Sequence, residues 1–77
     1  MFNMGIYFEY SVELYEDDEK VVEYGVVTGD SYPDACQNIL KYYRDSRLMS
    51  MTIAEWDCEG CLVMSKEVLD QLREEDF

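Results

Sequence analysis

The sequence predicts an α+β domain: a two-layer ββαββα order, a four-stranded antiparallel sheet, and two helices packed on one face of it. Three observations lead there. Apolar and polar residues alternate with period two from Ile6 to Tyr15 and again from Lys20 to Thr28. A stripe of helical period follows "SYPD". Two more short strand patterns and a capped helix then complete the chain. Elements in this order bury their apolar sides most simply as one sheet under one helical layer.

The first strand places Ile6, Phe8, Tyr10, Val12 and Leu14 on one face and Tyr7, Glu9, Ser11, Glu13 and Tyr15 on the other. In the second, Val22, Tyr24 and Val26 are taken as the inner set, with Glu23 outward. Pairing inner with inner sets Leu14 against Val22, Val12 against Tyr24 and Tyr10 against Val26. That register leaves a three-residue loop, Asp17-Asp18-Glu19, closed by Glu16 opposite Lys20. It also places Glu13 directly opposite Glu23, a repulsive cross-strand pair.

Ser31 is expected to cap the first helix, with Pro33 in the first turn and Asp34 in a capping-box position. Tyr32, Ala35, Cys36, Ile39, Leu40 and Tyr43 form its buried stripe, and Lys41 and Arg44 suit its carbonyl end. "LMSMTIAEW" is a third strand with Met49, Met51 and Ile53 inward, and "CLVM" a fourth. Gly60 serves either a three-residue or a two-residue turn between them. Ser65 caps a second helix ending near Arg73. Met64 and Leu69 form its hydrophobic staple, and Val68 and Leu72 extend the stripe. The acidic tail, residues 74–77, lies against the helix carbonyl end and is expected to fray.

Seventy-seven residues make a single compact domain, 1–77. Eighteen acids against six bases, with no histidine, give a formal charge of −12. Residues 1–34 hold nine acids and only Lys20, so the charge is densest in the first half. Such a field repels nucleic acid and anionic lipid and attracts basic protein surfaces. No apolar run approaches the ~20 residues of a membrane helix. The opening "MFNMGIYFEY" lacks the basic start and apolar run of a secretory leader. Three cysteines, an odd number, suit a reducing compartment, so a cytoplasmic protein is expected.

Catalytic and metal chemistry finds little to work with. Cys58 and Cys61 have CxxC spacing, but a structural zinc site needs four ligands, and only Cys36 remains. "EDDE" lacks the ligand spacing of a calcium loop. Cys36 has no histidine to act as its base. The expectation is therefore a non-enzyme without cofactor or metal.

The charged face carries the functional expectation. Glu9, Glu13 and Glu23, with the turn acids Glu16, Asp17, Asp18 and Glu19, would form an acidic surface anchored by Tyr7 and Tyr15. Carboxylates spaced about 5–13 Å apart present a coarse imitation of DNA phosphates. The expected partner is a basic protein surface, that of a nucleic-acid-binding protein, with no direct contact to nucleic acid or membrane. The alternative is a small structural or assembly protein, with a homodimer among its forms, whose acidic skin serves only solubility.

The run "GDSYPDACQNILKYYRD" followed by "MSMTI" resembles small acidic proteins of phage and prophage genomes, over residues 20–53. The resemblance carries no activity or site. By analogy of class it implies an inhibitor of a host nuclease, polymerase or CRISPR effector, acting as a DNA mimic in the anti-CRISPR manner.

Overall fold

The structure, a computed structural model, describes residues 6–76, with side chains through Glu74. Its elements are β1 (Ile6–Glu16), β2 (Glu19–Gly29), α1 (Tyr32–Tyr42), β3 (Leu48–Glu55), β4 (Leu62–Ser65) and α2 (Lys66–Asp76). They form the α+β fold that the alternation implies. All strand pairs are antiparallel, in the order β2-β1-β3-β4. The core joins Phe8, Val12 and Leu14 of β1 to Ile39 and Leu40 of α1 and Leu69 of α2, so both helices cover one sheet face.

The β1–β2 register differs from expectation. Glu16 pairs with Glu19, Leu14 with Val21, Val12 with Glu23 and Tyr10 with Gly25. The loop is only Asp17-Asp18, with φ of 51° and 66°. Two successive left-handed residues make the type I′ hairpin turn, whose twist matches that of the strands. A loop shorter by one residue reverses the parity of β2. Val21, Glu23, Gly25 and Val27 therefore face the helices, and Val22, Tyr24 and Val26 face outward. Tyr24 is 79% exposed.

Gly25 fits this parity because the Tyr10 ring lies over it. A β-carbon on Gly25 would stand 2.5 Å from Tyr10 Oη. Gly29 is required more strictly, since its β-carbon would meet the Ala35 backbone nitrogen at 2.7 Å. That close approach seats the start of α1 against β2.

α1 begins as expected. Ser31 Oγ accepts the Asp34 N–H at 3.3 Å, while the Asp34 carboxylate accepts the Asp30 N–H at 2.9 Å. In β3, Met51 and Ile53 are buried as expected, and the phase departs only at the start of the strand. A bulge skips one residue, so Glu13 faces Ser50 but Leu14 faces Leu48. Leu48 is thus buried, and Met49 only half-buried. Neither short turn forms around Gly60. The β3–β4 pairing ends at Ile53 opposite Leu62, and the intervening loop contains left-handed Asp57 and Gly60.

Ser65 Oγ accepts the Val68 N–H at 3.4 Å at the start of α2. Met64 and Leu69 are both buried, but Val68 is 41% exposed. The helix runs three residues past Arg73, to Asp76. Arg73 explains its docking. One terminal nitrogen donates to the carbonyls of Tyr43 and Ser46, each at 3.0 Å, and the other to Arg44 at 3.4 Å. These satisfy carbonyls at the end of α1 and in the loop beyond it.

The candidate protein-binding face

With both helices on one side, the sheet presents its other side as an open face. β1 contributes Tyr7, Glu9, Ser11, Glu13 and Tyr15, and β2 contributes Lys20, Val22, Tyr24 and Val26. Cross-strand rows order them. Glu9 lies between Val26 and Ala54, Ser11 between Tyr24 and Thr52, and Glu13 between Val22 and Ser50. Val63 of β4 extends the Ser11 row beyond Thr52. Tyr7, Tyr15, Val22, Tyr24, Val26 and Val63 are between 43% and 79% exposed. A shallow depression of about 260 Å³ lies at the centre, floored by Ser11, Thr52 and Ala54 and walled by Glu9 and Tyr24. Exposed apolar surface gathered on one face, rimmed by charge, is typical of an interaction site.

The expected acidic array is divided by this geometry. Glu9, Glu13, Tyr7 and Tyr15 do share the open face. Glu23 points to the opposite one, where its Oε1 accepts the Tyr43 hydroxyl at 3.0 Å. The Glu13–Glu23 repulsion therefore does not arise. Glu13 instead lies 3.2 Å from Lys20 Nζ and accepts the Ser50 hydroxyl at 2.8 Å. The Ser50 bond first, then Lys20, holds its carboxyl below the ordinary carboxylate range.

Asp17 and Asp18 sit at the hairpin tip. Glu16 and Glu19 have the inward parity at the projecting end of the hairpin, where both are exposed. A hydrogen bond to Glu23, followed by partial desolvation, pushes the Glu16 carboxyl above its usual range. The signal for the missed outward set was ambiguous in principle. "KVVEYGVV" carries valine at positions of both parities, so alternation could not choose between faces.

Of the cysteines, only Cys36 belongs to the core cluster among the described residues. Cys36 is buried 3.9 Å from Met64 Sδ. Cys58 and Cys61 are exposed, and desolvation, then the Glu55 carboxylate, push the Cys58 thiol up, away from the reactive thiolate. Among the described residues no three His, Cys, Asp or Glu side chains are placed to hold a metal ion. No described helix is long and apolar enough to cross a membrane. A cleft of about 670 Å³ is lined by Leu40, Lys41, Arg44, Arg73 and Glu74, and Arg73 there is already engaged with backbone carbonyls.

Fold and site together define a small two-layer α+β domain with an open, aromatic-rich sheet face. Compared with known proteins, the chain matches no family model, no curated protein and no solved structure.

Proposed function

We propose that the chain is a non-enzymatic protein-binding module that docks a partner through its open sheet face. The observation that carries this is the concentration of Tyr7, Tyr15, Val22, Tyr24, Val26 and Val63 on a surface the fold leaves uncovered. Tyrosines at such positions are common interface anchors, because one end is apolar and the hydroxyl remains hydrated. The fitting partner has an apolar patch bordered by basic residues, complementary to Glu9, Glu13 and the hairpin acids. Nucleic-acid-binding proteins carry basic surfaces of that kind, and an inhibitor of a phage's host protein is the setting that the resemblance of residues 20–53 supports.

The geometry moves the emphasis within this reading. Glu23 is turned away and Glu13 is matched by Lys20, so a phosphate-like row of carboxylates is not what favours it. Apolar contact supplies affinity here, and charge supplies steering.

The test compares three baits in affinity capture from host extract: the wild type, Tyr7→Lys with Val63→Lys, and Glu23→Gln. All altered side chains lie off the buried core, so the variants should fold. The expected result is a partner retained by wild type and Glu23→Gln, lost by the lysine variant, and released progressively by salt. A lysine variant that retains the same partner would overturn the assignment of the face.

A further inference from the structure

Edge strand β2 carries a second surface, distinct in its chemistry from the open face. β2 is eleven residues long and has β1 on one side only. The direction of its backbone groups follows from the hairpin. The pair closing a two-residue turn, Glu16–Glu19, is hydrogen-bonded, and bonded pairs then alternate. Two independent contacts agree with this phase. The Tyr7 carbonyl points away from β2 and accepts the Trp56 N–H at 2.8 Å. The Thr28 carbonyl points off the free edge and accepts Asn38 Nδ2 at 2.9 Å. The N–H and C=O groups of Lys20, Val22, Tyr24 and Val26 therefore face outward along the edge.

A long, β-branched edge with open backbone groups is a template for another strand. We infer that the occupant is β2 of a second copy, paired antiparallel about a twofold axis at Tyr24. The sequence of β2 is self-complementary in that register. Tyr24 meets its symmetry mate, Val22 meets Val26, Val21 meets Val27, Glu23 meets Gly25 and Lys20 meets Thr28. No like charges oppose each other within β2. Of the charges on the helix-facing side of the seam, Glu23 lies opposite Gly25 and Glu19 opposite Gly29, neither of which has a side chain. A shift by one step, centred on Glu23, would set two carboxylates face to face. The central register also overlaps the whole strand. Asn38, bound to Thr28, marks where α1 bounds the seam.

The bonded pairs Tyr24–Tyr24 and the two Val22–Val26 pairs supply about six backbone hydrogen bonds. The two sheets become one eight-stranded sheet, and the open faces merge across Val22, Tyr24 and Val26. Because each copy carries a formal charge of −12, salt should strengthen this association by screening repulsion. A basic partner on the open face would show the opposite salt dependence.

The test is sedimentation velocity over a concentration series at low and moderate salt, with far-UV circular dichroism to verify folding. Val22→Lys with Val26→Lys places like charges in both cross-seam pairs and should raise the dimer dissociation constant about tenfold or more. Val22→Lys with Val26→Glu makes the same pairs opposite in charge and should restore it to about threefold of wild type. Val22→Pro removes only an outward N–H and should leave a folded monomer. A wild type that stays monomeric throughout, or two lysine-bearing doubles with equal dissociation constants, would overturn the inference.

Discussion

The Tyr43 hydroxyl donates to Glu23 Oε1 at 3.0 Å and lies 3.3 Å from the Tyr10 hydroxyl. This contact ties the end of α1 to the inner side of β2. Burial, then Tyr10 and Glu23, push the Tyr43 phenol well above the ordinary tyrosine range. Above about pH 10 an unfolded tyrosine has lost its proton, whereas Tyr43 in the folded protein keeps it. Its contribution to stability is therefore complete below pH 10 and declines as pH rises beyond it. Tyr43→Phe should flatten the alkaline side of the stability profile in urea titrations. A Tyr43→Phe profile as steep as wild type would count against the network.

Glu16 reports on the same carboxylate from the other side. Its raised range arises first from the hydrogen bond with Glu23. Glu23→Gln should return the Glu16 carboxyl towards its ordinary value, as read by carboxyl-carbon NMR titration. Tyr43 should keep its hydrogen bond in that variant, because the amide oxygen still accepts.

The two inward glycines should respond differently to alanine. At Gly29 the new methyl meets the Ala35 backbone, which cannot move without α1, and about 1–3 kcal/mol of stability should be lost. At Gly25 the obstacle is the outer end of the Tyr10 ring, which can swing aside. Gly25→Ala should cost less and should disturb the edge-on Tyr10–Tyr43 contact, now 6.1 Å between ring centroids. Equilibrium denaturation of both variants measures the order.

Asp17 and Asp18 hold left-handed backbone conformations without being glycine. Asparagine followed by glycine is the favoured pair for this turn. Asp17→Asn with Asp18→Gly should stabilise the domain by about 1 kcal/mol through relief at the second position. The thermal midpoint measures it, and no gain would mean that the turn is unstrained as it stands.

Arg73 joins α2 to the end of α1 through three backbone carbonyls. Arg73→Met keeps much of the stem and removes the donors, and should cost about 1–3 kcal/mol. Arg73→Lys should recover little, because an ammonium cannot span the same fork. Hydrogen exchange should quicken in the last turns of α2 before it does in the sheet.

The order of elements, the caps at Ser31 and Ser65, the stripe of α1 and the inward set of β1 were legible in the sequence. Each rests on local signals: period, cap residues and turn residues separated by a few positions. The phase of β2 was not legible. Val21 and Val27 are as apolar as Val22 and Val26, so either parity buries valine, and a one-residue difference in loop length decides between them. In β3 the alternation pointed to Met49 beside Met51 and Ile53, and the bulge buried Leu48 in its place.

By itself, then, the sequence determined an acidic two-layer domain and which residues of β1 face out. The tertiary structure alone decided what stands beside them. The close fit of Gly29 on Ala35 and the Glu23–Tyr43 bond hold one parity of β2 against the helices. That turns Glu23 inward and brings Val22, Tyr24 and Val26 out, making an expected acidic face a largely apolar one. Contacts between residues far apart in the chain settle such a choice, because alternation specifies a spacing and carries no information about which side the helices will cover.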